Sequence, residues 1–183
     1  DLSEFPNTRA QVVGVSHLHP GAVLVGMNDR DPKWHDLYRV DLATGQRTLV
    51  EKNTLEFAEY MVDPDFKVRM ASKSRADGGS DLLAPDGKGS WKIVGEIPFA
   101  DSLTTFPGGY TSDGKTLYFS DYELGLFGID LASGKGFDVA TNERVSLEGI
   151  DRLAWYQGHL LVLQNGFKAN RAMRFAVSPD GRK

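Results

Sequence analysis

The sequence contains no cysteine among its 183 residues. This absence excludes disulfide bonds, zinc sites built on thiolates and a cysteine nucleophile. It leaves the cellular compartment open, and we favour a cytoplasmic location over a periplasmic or secreted one. The chain begins with Asp1 rather than methionine, which we interpret as the loss of an N-terminal segment or as origin in a longer chain.

Long apolar runs and an excess of positive charge are also missing. The longest apolar runs have four residues, as in Leu160 to Leu163, and fall far short of the roughly 20 residues that a transmembrane helix needs. Asp and Glu together number 25 against 21 for Lys and Arg, a formal net charge of -4. Nucleic acids and anionic membrane surfaces require a basic face. We therefore expect neither as a partner.

The chain does contain an internal repeat. The segment LYRVDLATGQRTLV from Leu37 aligns with LFGIDLASGKGFDV from Leu126, and each reads as two strands joined by a turn. Weaker copies are SDLLAPDGKGSWKIV and RAMRFAVSPDGRK. The turn glycines of the four copies, at spacings of 42, 47 and 47 residues, are Gly45, Gly87, Gly134 and Gly181.

A unit of about 45 residues with three or four short antiparallel strands is typical of a β-propeller blade. A generic meander or sandwich is the alternative. We predict an all-β fold in which residues 1–183 form one β-propeller domain or part of one. About four blades are expected, at residues 10–53, 54–99, 100–142 and 143–183, and the last of them lacks its outer strand. Such a chain is either a fragment or one half of a larger propeller.

Two segments resemble a known family over about residues 10–140. VLVGMNDRDPKWHDLYRVDLATGQRTLVEKN, from Val23 to Asn53, and TTFPGGYTSDGKTLYFSDY, from Thr104 to Tyr122, resemble the propeller domain of prolyl-oligopeptidase-type (S9) serine peptidases. After about Ser146 the sequence is more similar to the last blade of gluconolactonase/SMP-30-like or NHL-like propellers.

The S9 resemblance implies a binding or substrate-gating scaffold without catalytic residues. In that family the nucleophile is a serine on a Gly-x-Ser-x-Gly turn of a separate α/β-hydrolase domain. Ser16 and Ser80 each have one of the two glycines, and no serine of this chain has both. We therefore expect no peptidase activity from this chain alone, and a peptide is the ligand that the resemblance suggests. The alternative function is a lactone hydrolase of the SMP-30 type that uses a divalent cation.

The loop between the second and third strands carries the candidate binding residues. Paired acids could serve acid–base chemistry, and an arginine could hold a carboxylate through two hydrogen bonds. The structural alternative is a turn in which aspartate side chains satisfy nearby backbone N–H groups. The candidates are Asp29, Arg30, Asp31, Trp34, His35 and Asp36.

Two sets of residues are candidate metal ligands, and the first also has a structural alternative. His17 and His19 would share one face of a strand and could form a site with His35 and a nearby carboxylate. The alternative is that both histidines are exposed turn residues. Under the lactonase alternative, a calcium ion would take oxygen ligands from the C-terminal region. Those ligands would be Glu148, Asp151, Asn165 and Asn170, whereas the scaffold interpretation requires no cofactor.

An incomplete last blade leaves an open sheet edge and uncovered blade faces, which are favourable to cover. We therefore expect a homo-oligomer, specifically a homodimer with two-fold symmetry, or a missing remainder of the propeller. A closed four-blade monomer is the main alternative.

Overall fold

A computed structural model describes residues 5–111, 113–141, 145–165, 170–178 and 181–182. Fifteen strands and one short 3-10 helix make up its regular structure. The strands form four antiparallel sheets, and this confirms the predicted all-β propeller fold. None of the described helices has the length and hydropathy to cross a bilayer.

Each sheet is a simple meander, in which neighbours in sequence are neighbours in the sheet. Blade 1 consists of β1 (Ala10–Val15), β2 (Ala22–Met27), β3 (Asp36–Asp41) and β4 (Arg47–Glu51). Blade 2 consists of β5 (Glu59–Val62), β6 (Val68–Ser74), β7 (Ser80–Pro85) and β8 (Trp91–Ile97). A 3-10 turn, Phe99–Asp101, follows it.

The second half of the chain continues the same pattern. Blade 3 consists of β9 (Thr105–Tyr110), β10 (Thr116–Asp121), β11 (Gly125–Asp130) and β12 (Lys135–Asp138). Blade 4 consists of β13 (Ile150–Tyr156), β14 (His159–Gln164) and β15 (Arg171–Ala176). Among the described residues no fourth strand pairs with β15.

The two best-matching repeat copies fold into hairpins of the same geometry. The Asp41 carboxylate accepts the Thr44 backbone N–H at 2.8 Å, and Asp130 accepts the Ser133 backbone N–H at 2.7 Å. Backbone hydrogen bonds from Gly45 to Asp41 and from Gly134 to Asp130 close the two turns. All four aligned turn glycines have positive φ, between 71° and 77°: Gly45, Gly87, Gly134 and Gly181. This conformation is costly for any residue with a Cβ atom, which explains the recurrence of glycine.

The chain divides into two compact units, and the division runs through blade 2. Unit 1 comprises Asp1–Arg75 and Asp81–Ile93. One of its apolar clusters contains the buried residues Ala22, Leu24, Leu37 and Phe66, with Val13, Tyr60, Val62 and Val68 packed around them. Within this unit β1 lies against β5, so that the first strands of blades 1 and 2 are neighbours.

Unit 2 comprises Ala76–Ser80 and Val94–Lys183, and its core lies where blade 4 packs on blade 3. Strand β14 places Leu160 and Val162, each 1% exposed, into that core. Alternate side chains of a strand point to opposite faces, and Leu161 and Leu163 on the other face are 36% and 53% exposed.

We call that other side the blade-4 face. Cross-strand pairing places Ala154 and Ala172 beside its two leucines, and Arg152 and Arg174 stand next to them. The face borders an open, mainly apolar depression of about 440 Å³. Strand β14 is thus apolar on both sides but covered on one.

Candidate functional site

Asp36 anchors the loop that carries the candidate residues. Its side chain is buried and accepts hydrogen bonds from Arg30 Nε at 2.6 Å and from Arg30 Nη2 at 2.7 Å. It also accepts the Asn53 backbone N–H at 2.7 Å. Burial acts to raise the pKa of Asp36, but the hydrogen bonds and charge of Arg30 and the Asn53 N–H together bring the pKa below its usual value. Arg30 and Asp36 are therefore engaged with each other.

Asn53 extends this network to the segment that leads into β5. Its side-chain amide donates to the Phe57 carbonyl oxygen at 2.8 Å and accepts the Phe57 N–H at 2.9 Å. Asn53 is 2% exposed and Phe57 is 3% exposed, so these reciprocal bonds lie in the interior. They fix the start of β5 relative to the loop before β3.

The other charged candidates of the loop also have local partners. Asp29 forms an ion pair with Arg47 at 2.7 Å. Asp31 accepts the Lys33 backbone N–H at 2.9 Å through its carboxylate, and its carbonyl oxygen accepts the Trp34 N–H at 3.2 Å. These contacts match the structural alternative of an aspartate-capped turn.

His35 differs from the acidic candidates because it is one of the residues that line a pocket. The pocket, which we call the His35 pocket, has a volume of about 250 Å³ and lies within unit 1 between β1, β2 and β5. Its lining consists of Gln11, Val12, Val13, Gly26, His35, Phe57, Ala58, Glu59 and Tyr60.

Gly26 keeps the floor of this pocket open. A Cβ atom at Gly26 would lie 3.4 Å from the side chains of Gln11, Val13 and His35. A glycine inside a strand commonly marks such a close approach. Any larger residue at this position would take up space inside the pocket.

Two polar atoms of the lining residues are buried without a hydrogen-bond partner among the described residues: His35 Nε2 and the Tyr60 hydroxyl. Burial lowers the pKa of His35, and the charge of Arg9 lowers it further. Burial raises the pKa of Tyr60, as do the negative charges of Glu51 and Asp36. Both side chains are therefore neutral at pH 7. Each can donate or accept a hydrogen bond.

Of the pocket residues, sequence reasoning identified only His35. The sequence does mark Gly26, because a glycine interrupts an otherwise apolar strand there. Nothing in the sequence pattern marks Gln11 or Tyr60 as pocket residues. They come together because β1 lies against β5, a tertiary contact between strands far apart in sequence.

His17 and His19 lie in the turn after β1 rather than on a strand. The prediction that they share one face of a strand is therefore wrong. His17 is exposed. The His19 ring stacks on Phe66 at 5.0 Å, and its Nε2 lies 3.9 Å from an Asp65 carboxylate oxygen. Within the described ranges no group of three His, Asp or Glu side chains could hold a metal ion.

The candidate calcium ligands occupy the ends of strands in blade 4. Asp151 lies on β13, 3.9 Å from Arg152. Glu148 precedes that strand, and its backbone carbonyl accepts a hydrogen bond from the Gln164 amide. Asn165 donates its backbone N–H to the Gly149 carbonyl at 2.9 Å, and Asn170 is exposed before β15. Calcium binding at these residues stays a prediction.

No family model matches the chain. Dipeptidyl aminopeptidase BIII of Pseudoxanthomonas mexicana is 53% identical over 153 residues, which covers 81% of this chain and 22% of that protein. Dipeptidyl peptidase family member 6 of Caenorhabditis elegans is 35% identical over 77 residues, or 42% of this chain and 10% of that protein.

Among solved structures, an oligogalacturonate lyase in complex with manganese superposes with a TM-score of 0.63 at 15% identity. The match covers 100% of this chain and 54% of the lyase chain. At such low identity it demonstrates a shared fold and nothing about activity. The comparisons give no support to the lactonase alternative.

The sequence relatives and the fold agree with the resemblance noted between Val23 and Tyr122. The chain spans less than a quarter of the length of either relative. It is an all-β propeller segment related to the dipeptidyl peptidases of the prolyl-oligopeptidase-type (S9) group.

Proposed function

We propose that this chain is a non-catalytic β-propeller module that binds or gates peptides for an S9-type peptidase activity located outside it. The observation that carries the proposal is the 53% identity to a dipeptidyl aminopeptidase over 153 residues. The sequence itself contains no serine flanked by glycines in the Gly-x-Ser-x-Gly pattern. The part of the chain that is similar to the aminopeptidase therefore has the propeller fold and no serine in the nucleophile pattern.

The geometry of the candidate residues supports binding rather than catalysis. The acids of the loop, Asp29, Asp31 and Asp36, are engaged with Arg47, a backbone N–H and Arg30. A general acid or base must be free to exchange a proton with a substrate at hydrogen-bond distance. The His35 pocket instead offers neutral polar atoms and apolar walls, which suit recognition.

A peptidase assay on the purified chain tests the proposal. We expect no release of chromophore from dipeptidyl p-nitroanilides and no covalent adduct, by intact mass, after treatment with a serine-directed phosphonate. Turnover that the phosphonate abolishes, with one adduct per chain, would overturn the proposal.

A parallel assay addresses the alternative function. Lactone hydrolysis that appears on adding calcium and disappears with a chelator would favour the lactonase alternative. The matched control replaces a candidate ligand, Asp151→Asn, and should abolish any such activity. We expect no lactone hydrolysis from either chain.

A further inference from the structure

The blade-4 face repeats the layout of a face that this chain packs against another blade. On blade 1, Leu24 of β2 pairs with Arg39 of β3, and this side packs on blade 2. On blade 4, Leu161 of β14 pairs with Arg174 of β15. The other side of blade 4 packs on blade 3. The pair of blade 4 therefore corresponds in position to the pair by which blade 1 meets blade 2.

The two corresponding faces differ in what covers them. Leu24 is 0% exposed beneath blade 2, and the Arg39 guanidinium lies 5.8 Å from the centre of the Phe66 ring of that blade. Leu161 and Arg174 are both exposed. The blade-4 face thus has the features of a blade-packing face, and no blade covers it among the described residues.

Blade 1 carries a suitable counterpart on the side that faces away from blade 2, which we call the blade-1 face. Cross-strand pairing places Val12 beside Val25 and Val15 beside Val23 on this side. Val12 and Val15 are 68% and 78% exposed. The face borders a depression of about 220 Å³, and none of the residues that line it is charged. It is an apolar surface shaped by β1, β2 and β3.

Charge distinguishes the blade-1 face from a second blade-4 face as the occupant. The blade-4 face carries two exposed arginines, Arg152 and Arg174. Two such faces packed together would bring four guanidinium groups into one contact, and like charges across an interface weaken it. The uncharged depression of the blade-1 face avoids this repulsion. A head-to-tail contact is therefore favoured over a contact between identical faces.

The area of the face indicates that both faces of each chain are used. Strands of six or seven residues, β13 to β15 give a face of about 14 by 20 Å, or about 300 Å², from the usual strand spacing and rise. A stable interface buries about 800 Å² from each partner. One contact falls well short of this value. Two contacts per pair of chains cover about 600 Å² of projected area on each chain and approach it.

We propose that two copies of this chain associate head to tail, with the blade-4 face of each packed on the blade-1 face of the other. Leu161 and Leu163 of one chain would pack on Val12 and Val25 of the second, and the apolar surface removed from water stabilises the pair. The contact between unlike faces closes because each chain contributes both of them. This association goes beyond the proposed function and does not depend on it.

Cross-linking through introduced cysteines tests which faces meet, because the chain has no cysteine of its own. Leu163→Cys and Val12→Cys change exposed apolar side chains and should not disturb folding. The two variants are mixed in equal amounts, equilibrated and treated with 1,2-bismaleimidoethane, which joins two thiols that lie close together. We expect a covalent pair of chains on a denaturing gel. Its yield at micromolar chain should exceed that of non-contacting cysteines about tenfold, because a contact raises the local thiol concentration towards millimolar.

The matched control mixes Val12→Cys with Leu124→Cys, since Leu124 is 78% exposed and lies off both faces. A yield from the Leu163→Cys mixture no higher than from this control would overturn the proposal. Equal cross-linking of Leu163→Cys by itself would show that two blade-4 faces meet instead. Light scattering on the unmodified chain should give the mass of two chains. A mass of one chain would leave the face to a different protein, and a mass that climbs with concentration would show that the contact does not close, so either result contradicts the proposed pair.

Discussion

The His35 pocket in unit 1 and the blade-4 face in unit 2 offer a partner two different kinds of contact. The pocket is lined by the polar residues Gln11, His35 and Tyr60 between apolar walls. The blade-4 face presents exposed Leu161 and Leu163 on a strand that is also apolar on its buried side. The first suits a ligand that matches a hydrogen-bond pattern, and the second suits any complementary apolar surface. Specificity is therefore expected of the pocket, and affinity driven by burial is expected of the face.

The largest expected effect concerns the blade-4 face. The homodimer expected from the sequence stays a prediction, and this face is the contact we propose for it. If so, light scattering on a size-exclusion column should give the mass of two chains, and Leu163→Arg should reduce it to one. The new charge would lie opposite Arg152 and could not be buried there without a partner of opposite charge.

Leu124→Arg is the matched control, since Leu124 is 78% exposed and lies on the turn between β10 and β11, off the blade-4 face. It should leave the mass unchanged. A wild-type mass of one chain across micromolar dilutions would exclude the dimer.

The second-largest expected effect is a loss of stability when the hydrogen-bond network around Asp36 is broken. Asp36→Ala leaves the buried Asn53 N–H and the half-buried Arg30 without their acceptor. It should lower the free energy of unfolding by about 3 kcal/mol, because a buried donor left without a partner costs about 1–3 kcal/mol and a charged group that loses its partner adds to this. Urea denaturation followed by tryptophan fluorescence measures it. Asp29→Ala, which removes the more exposed pair with Arg47, is the control and should cost under about 1 kcal/mol. Equal losses in the two variants would show that the Asp36 network has no special structural role.

The smallest effect is a pH dependence of stability that arises from His35. Its pKa in the folded chain is below the ordinary value of 6.5, so the unfolded chain binds more protons as the pH falls through that value. Stability should therefore decrease from about pH 6.5 towards the lowered pKa. Arg9 before β1 acts to lower this pKa, and Glu59 and Tyr60 of β5 line the same pocket.

The measurement is the difference in unfolding free energy between the wild type and His35→Gln at each pH. Taking the difference cancels the contributions of groups that the substitution leaves unchanged. Below pH 6.5 the unfolding free energy of the wild type should fall relative to that of His35→Gln. A constant difference between pH 5 and 8 would show that His35 titrates alike in both states.

The sequence by itself determined the blades and their hairpins. Repeats such as Asp41 to Gly45 and Asp130 to Gly134 are local: an aspartate caps the turn and a glycine adopts positive φ, and both can be recognised within five residues. The S9 relationship was also visible in the loop and strand residues from Val23 onward.

The tertiary structure alone decided which of the candidate residues have partners. In sequence, Asp29, Asp31 and Asp36 look like a possible acidic site, yet two of them have arginine partners and one caps its own turn. Conversely, Tyr60 carried no signal, and it reaches the same pocket as His35 because β5 lies against β1. Hydrogen-bond partners and pockets arise from contacts between distant segments, and the residue pattern within a segment does not encode those contacts.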